Sequence, residues 1–471
     1  MARGFPPVEL DQTLYDLYSL DGGDPNSVAH VIALAPPFKC AASLPVNTKY
    51  IYQTPMAPPL DAEVYARICL GNGAQNHGFM SGPIPLYLFD IDPPPYDIAN
   101  KSVESPPAAQ TDAQRVYDCL VPWQRPKLNF ISDPDAFRPK PNVHISPYPP
   151  LDFLDNHPCI LSQETHYGLL SKRNLALSGL PTPPSDVIEG QLSPEDVQDN
   201  FKVETETQRI LDAVRAKPAP FVVKFPQSLS GQGVFVIRDE TAKKARLPIL
   251  ETEVARMIRT LTPDNVQLQP VSLILQEVVP GDNTRNLSLF ITRSGRAVLI
   301  SCAEQFLDAE GIYRGSILDY CQQGELEAQF RDTIDQVAVY VHRNGFYGPM
   351  GADVMTDPTD GRQYVVDLNV RITGDYMMGP LRGHFLERRG LTVSFVITPL
   401  VVLGNRDQFE ERFAKEMMNG RLIIIGWARG KGGRSGRHEY SVASVAIGGR
   451  DREHALELVG RINELALSKP Q

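Results

Sequence analysis

Proline constrains the fold of this chain more than any other residue. More than half of the 41 prolines fall before residue 161, with clusters at Pro93-Pro94-Pro95, at Pro106-Pro107 and from Pro139 to Pro150. Proline lacks a backbone N–H and its ring clashes with the preceding helical turn, so the first third cannot consist mainly of long helices. The same stretch carries strand-like runs, Val28–Ala35, Lys49–Gln53 and Ile84–Asp90, and a helical stretch from Ala109 to Leu120. These apolar runs need burial, so a small, loop-rich α/β domain fits better than disorder. From about Leu161 helices and strands alternate regularly. Ser193-Pro194-Glu195-Asp196 has a capping serine, proline at the first helical position and acids in the first turn, which predicts a helix from there to about Ala216. Leu250–Leu261, Glu325–Asn344 and Arg406–Met418 read as three further helices, and Arg296–Glu304 as a strand. At 471 residues the chain exceeds the size at which one core usually splits, so more than one domain is expected.

Composition narrows the class. A formal charge of -10 argues against a general nucleic-acid or anionic-membrane binder, since both need a positive field. The longest apolar run, Leu391–Leu403, is too short to span a bilayer and is broken by Pro399, so it reads as core. The first residues lack the apolar segment of a signal peptide. Cys40, Cys69, Cys119, Cys159, Cys302 and Cys321 are scattered with no Cys-x-x-Cys pair, which points to a reduced compartment and to buried thiols. A cytoplasmic location is the expectation.

The chemistry concentrates in three segments. In the first, Ala352-Asp353-Val354-Met355 and Tyr364–Arg371 alternate as two strands, joined by a polar turn from Thr356 to Arg362. Side chains repeat every second residue, so Asp367, Asn369 and Arg371 share a face that Asp353 can reach from the partner strand. Two carboxylates and an amide oxygen are hard ligands suited to Mg²⁺, and an arginine beside them adds a fixed positive fork. Taken alone these residues fit equally well as turn-flanking acids with a surface ion pair. In the second segment, Phe221-Val222-Val223-Lys224 and Val234–Ile237 flank a loop containing Ser230, Gly231 and Gly233. Small residues there let backbone N–H groups approach phosphate, and the lysine adds a compact charge. It is not a Walker loop, and by itself it is more often a plain hairpin. In the third, the apolar strand Leu273–Gln276 runs through Glu277 and Val279 into the polar turn at Asp282 and Asn283. Its exit could offer backbone groups to an adenine edge.

In this order the segments resemble the ATP-grasp superfamily, whose members join a carboxylic acid to an amine or other nucleophile. Ser171-Lys172 and the following Gly179-Leu180-Pro181-Thr182-Pro183 are similar to that family's opening helix and turn, and the likeness covers roughly residues 165 to 465. The proline-rich front end resembles the fungal solid-state-culture-specific ATP-grasp proteins. The resemblance implies an α/β (α+β) ATP-grasp fold, two α/β lobes clamping ATP, preceded by a proline-rich N-terminal α/β domain. The expected boundaries are 1–160 for that first domain and 161–471 for the ATP-grasp domain, with a first lobe at 161–275 and a second at 276–471. The resemblance makes Lys172 and Lys224 the phosphate-contacting lysines, with Ser230, Gly231 and Gly233 closing over the triphosphate. Gln276, Glu277 and Val279 become the adenine hinge, and Asp282 or Asn283 the ribose contact. Asp353, Asp367 and Asn369 become the metal ligands, and Arg371 the arginine facing the transferred phosphoryl group, so that Arg371 and Lys224 carry catalysis. Asp367 stands where the family usually has glutamate. Glu304, Gln305 and Arg314 fall where the family places substrate contacts.

The implied cofactors are ATP and Mg²⁺. The implied activity joins a small-molecule carboxylate to an amine through an acylphosphate, with ADP and phosphate released. Neither nucleic acid nor membrane is an expected partner, and a homodimer is compatible with the chain. An ATP-binding regulatory or assembly module without turnover is the alternative. Asp90-Ile91-Asp92 also fits the Asp-x-Asp motif of nucleotide-sugar transferases, although acids at a strand exit are commonplace. The basic Arg429–Arg437 segment reads as a mobile surface loop. No zinc spacing and no Gly-x-Ser-x-Gly elbow occurs.

Overall fold

The structure, a computed structural model, describes residues 4–35, 44–53, 66–91, 108–228, 231–281, 284–307, 313–432 and 438–465. Three sheets organise them. The proline-rich third forms a parallel sheet in the order β3-β2-β1-β4, from β1 Val28–Ile32, β2 Pro85–Phe89, β3 Lys127–Ile131 and β4 His144–Tyr148. Every residue of β1 is buried, as in a parallel strand covered on both faces. Short helices at 66–78 and Ala108–Tyr117 lie between these strands. Lys49–Gln53, expected as a strand, is irregular. The Asp152 carboxylate accepts from the backbone N–H groups of Thr48, Lys49 and Tyr50, so these donors join no ladder.

The second sheet is antiparallel, in the order β5-β8-β6-β7, from β5 Ser185–Glu189, β6 Phe221–Lys224, β7 Val234–Ile237 and β8 Ser272–Gln276. Helices Asn200–Ala216 and Glu240–Arg259 pack on it, and the unit has its own core of residues such as Val203, Leu211, Phe221, Leu250 and Leu275. The first helix does not start at Ser193. That serine's N–H and hydroxyl both bond the Asp196 carboxylate, a short 3-10 turn follows, and Asp199 caps the helix by accepting from Phe201 and Lys202. The second helix begins at Glu240, before the expected Leu250, and runs through Pro248 under an Asp239 cap.

The third sheet has eight strands in the order β13-β12-β9-β10-β11-β14-β16-β15. They are β9 Thr284–Ile291, β10 Ala297–Leu307, β11 Tyr313–Asp319, β12 Gly348–Thr356, β13 Gln363–Asn369, β14 Val393–Leu403, β15 Leu422–Gly432 and β16 His438–Gly449. The apolar run ending at Leu403 is a sheet strand whose register with β16 shifts between Ile397 and Leu400, around Pro399, which has no N–H to donate. Helix Gln323–Arg343 lies close to the expected bounds, whereas the expected Arg406–Met418 helix divides into Arg406–Arg412 and Ala414–Met418 around Phe413. The largest core joins Leu14, Phe79 and Tyr117 of the first third to Phe395, Ile424, Trp427 and Ile462 of this sheet region. Of the described cysteines, all free, only Cys302 is fully buried and Cys321 is exposed, contrary to the expectation of buried thiols. No described helix is long and apolar enough to cross a membrane.

Candidate functional site

The β12–β13 hairpin forms as the alternation predicts, closed by a turn in which Asp357 N–H donates to the Arg362 carbonyl and Gly361 adopts a left-handed φ of 75°. Asp353 lies directly opposite Asp367, and Gly351 opposite Asn369, so both carboxylates lie on one face. The pairing then slips: Val354 faces Val365, leaving Val366 as a bulge residue in β13. On its other side Asp353 faces Asn286 of β9, whose amide donates to Asp353 Oδ1 at 2.8 Å. Burial, and then the neighbouring Asp367, push the Asp353 carboxyl up to about 7. Asp375 is also raised by burial, and the Ser316 hydroxyl donates to it at 2.9 Å. The sequence reading missed Asn286, Ser316 and Asp375. The polar alternation of Asn286-Leu287-Ser288-Leu289 was the available signal for the first.

Two lysines approach these acids from the antiparallel sheet side. Lys172 opens the helix Lys172–Ala176 behind its Ser171 cap. Its ammonium sits 3.0 Å from Asp367 Oδ1 and donates to the Ser228 carbonyl at 3.0 Å. Lys224 ends β6 and donates at 2.8 Å to the carbonyl of Val366, the bulge residue of the edge strand β13. Burial lowers the Lys224 ammonium to about 8; Asp367 opposes that shift and Lys172 adds to it. Between β6 and β7, Gly231 and Gly233 have φ values of 73° and 76°. A Cβ at Gly233 would lie 2.8 Å from the Phe225 ring and from Ser228 Cβ, whereas one at Gly231 would meet nothing within 4 Å. Ser230 lies outside the described residues.

At the exit of β8, Gln276 is buried and its amide donates to the Ser185 hydroxyl at 3.1 Å. Glu277 is exposed and its N–H is taken by the Pro184 carbonyl at 2.9 Å, while Val279 is buried. Asp282 and Asn283, like Asp92, lie outside the described residues. Asp90 is buried inside the first third, where Gln110 donates to it at 2.8 Å. Glu304 is occupied by ion pairs to Arg285 and Arg452 at 3.0 and 2.9 Å.

Arg371 departs from the expectation that it continues the strand, because β13 ends at Asn369 and Arg371 N–H turns back onto the Asn369 carbonyl. It still meets the same site. Its guanidinium donates to Asn369 Oδ1 at 2.9 Å and to the Ile372 carbonyl at 3.1 Å, and on its other side to the Tyr148 hydroxyl at 2.7 Å. The expected metal set is therefore two carboxylates and an amide oxygen shared with Arg371. Among the described residues no three Asp, Glu, His or Cys side chains converge to hold a metal.

Residues 196–375 match the model of the ATP-grasp domain. Over that segment the chain is similar to the ATP-grasp domain. The matched span includes Lys224, Gln276, Asp353, Asp367, Asn369 and Arg371 and stops short of Lys172, and its fold is the ATP-grasp fold expected from the motif order. A butirosin acyl-carrier-protein L-glutamate ligase from Niallia circulans is 25% identical over 176 residues, which is 36% of this chain and 38% of the relative. The chain thus spans about two fifths of the length of that curated relative. Among solved structures, an ADP complex of an N5-carboxyaminoimidazole ribonucleotide synthetase has a TM-score of 0.49 at 12% identity, covering 83% of this chain and 93% of the other. An L-amino acid ligase from Bacillus licheniformis has a TM-score of 0.46 at 11% identity, covering 93% and 97%.

Proposed function

We propose that this protein is an ATP-dependent ligase that activates a carboxylate as an acylphosphate and joins it to an amine. One observation carries the reading: Lys172 and Lys224 converge on the acid hairpin that bears Asp353 and Asp367 and that leads into Arg371. Three cations beside paired acids suit a reaction that moves a highly charged phosphoryl group. The adenine edge would meet the Glu277 carbonyl and the Val279 N–H, since the Glu277 N–H is already used and neither of the other two has a backbone partner among the described residues.

The residues also fit Mg²⁺. Asp353 and Asp367 lie side by side, both half-buried, where burial first and their mutual repulsion second raise Asp353, and a divalent cation relieves such repulsion. Asp353, Asp367 and Asn369 would hold it, and its charge would offset that of the phosphates. The chain's own groups do the rest. Lys172, Lys224 and Arg371 neutralise the γ-phosphoryl oxygens as a carboxylate oxygen attacks phosphorus and the bond to ADP breaks. The amine then adds to the acyl carbon and loses its proton, and phosphate departs carrying the former carboxylate oxygen. An acylphosphate hydrolyses readily, so the Gly231–Gly233 segment serves best by closing over the site and excluding water.

The test is a screen of carboxylate and amino-acid pairs by ADP release, followed by product masses, with L-glutamate among the first probes because the curated relative is named for it. ADP release that needs both partners supports the ligase. One feature favours a nucleotide-binding module without turnover: Asp367 has a short arm and is already ion-paired to Lys172. Tight ATP binding with no stimulated turnover would establish that reading instead.

A further inference from the structure

Arg371 is oriented from outside the ATP-grasp domain, by a chain of hydrogen bonds whose polarity the geometry fixes. His77 Nδ1 contacts the Gly73 carbonyl, which can only accept, so Nδ1 carries the proton and Nε2 is an acceptor. The Tyr148 hydroxyl lies 2.9 Å from Nε2 and donates to it. Its oxygen is thereby left to accept from Arg371 Nη1 at 2.7 Å. The Tyr148 ring also lies against the guanidinium, with Cζ 4.8 Å from the ring centroid, and the His77 ring lies 4.3 Å from the Tyr148 ring. Burial keeps His77 neutral, held down at about 3, and raises the Tyr148 phenol, so both keep these roles at ordinary pH. Arg371 Nε is buried with no partner among the described residues, so the fork's angle depends on its two terminal nitrogens. One of these is tied to Tyr148, 223 residues away in sequence.

We propose that Tyr148 and His77 are positioning residues: through them the parallel sheet of the first third sets the angle at which Arg371 meets the γ-phosphoryl group. The inference rests on the ligase reading for what Arg371 does, but its test needs no turnover. Affinities for AMP-PNP, which carries a third phosphoryl group, and for ADP, which does not, are measured by calorimetry with Mg²⁺ on the full chain. Tyr148→Phe keeps the ring and removes both hydrogen bonds. It should leave unfolding cooperative and ADP affinity unchanged and weaken AMP-PNP about tenfold, the size of one lost bond to a charged group. His77→Gln retains a side-chain acceptor for the phenol and should weaken AMP-PNP less than Tyr148→Phe does. Equal losses for both nucleotides, an unchanged AMP-PNP affinity, or no binding of either nucleotide to the wild-type protein would overturn the inference. If the AMP-PNP to ADP ratio responds but no carboxylate and amine pair elicits ADP release from the wild type, the ligase reading fails while the positioning role stands.

Discussion

On one side of the acid hairpin, the unit built on β5 to β8 keeps a core of its own and reaches the Val366 carbonyl through the tip of Lys224, while Lys172, which pairs with Asp367, stands on a helix whose Leu175 packs into the core of the eight-stranded sheet. On the other side, the proline-rich third shares the largest core with the eight-stranded sheet and bonds to it directly: Trp427 N–H donates to Gln75 Oε1 at 2.8 Å, and the Ser444 hydroxyl to Asn72 Oδ1 at 2.9 Å. A unit with a separate core, joined by isolated hydrogen bonds such as that of Lys224 to the Val366 carbonyl and of Gln53 N–H to the Gln227 carbonyl, can move as a body, whereas a shared core resists such motion. Lys224 is thus the adjustable charge of the site, and Arg371 and Lys172 are the fixed ones.

The largest expected effect comes from removing the acid that lies opposite Asp353 and pairs with Lys172. Asp367→Ala should lower ADP formation by ~10³-fold, as expected for loss of a group that organises transition-state charge, while the melting curve stays cooperative. Next comes the lysine pair. Lys172→Met should cost about 10²-fold in kcat. It should also move the alkaline limb of the rate profile. Lys224 is charged below about 8, so activity that needs its charge declines as pH rises through that value. Loss of the neighbouring Lys172 charge raises the Lys224 pKa and shifts the decline to higher pH. A pH-rate series on both proteins checks the sign.

A smaller effect separates the two loop glycines. Gly233→Ala meets both a left-handed φ and a 2.8 Å clash with Phe225, whereas Gly231→Ala meets only the φ cost of about 1–2 kcal/mol. ATP affinity, read by calorimetry, should fall further in the first than in the second. The smallest effect on activity belongs to the fixed side. Gln75→Met leaves the buried Trp427 N–H unpaired and should cost about 1–3 kcal/mol in denaturant unfolding, with nucleotide affinity unchanged. A Gln75 variant that bound nucleotide poorly at full stability would break the comparison.

Much of the lysine and acid side is legible in the sequence because its signals are local. Period-two alternation fixes the face of Asp367, and a lysine at a strand end before paired glycines marks the loop. What the sequence hides is non-local. Nothing near Tyr148 or His77 points to Arg371, since that contact forms only when the parallel sheet docks. The Val366 bulge leaves no trace in the alternation, yet its carbonyl is the one that accepts from Lys224. The misplaced elements have equally physical causes. Asp196 captures Ser193 and leaves capping to Asp199, and Asp152 takes the backbone donors that would have made Lys49–Gln53 a strand.

Whether a carboxylate is activated by phosphoryl transfer at this hairpin is decided by the fate of the carboxylate oxygen. With a substrate pair found in the screen, the carboxylic acid is supplied labelled with ¹⁸O and the released phosphate is weighed by mass spectrometry. An acylphosphate route predicts one labelled oxygen in each phosphate, and loss of that signal in Asp367→Ala. Unlabelled phosphate formed alongside ADP would exclude an acylphosphate intermediate.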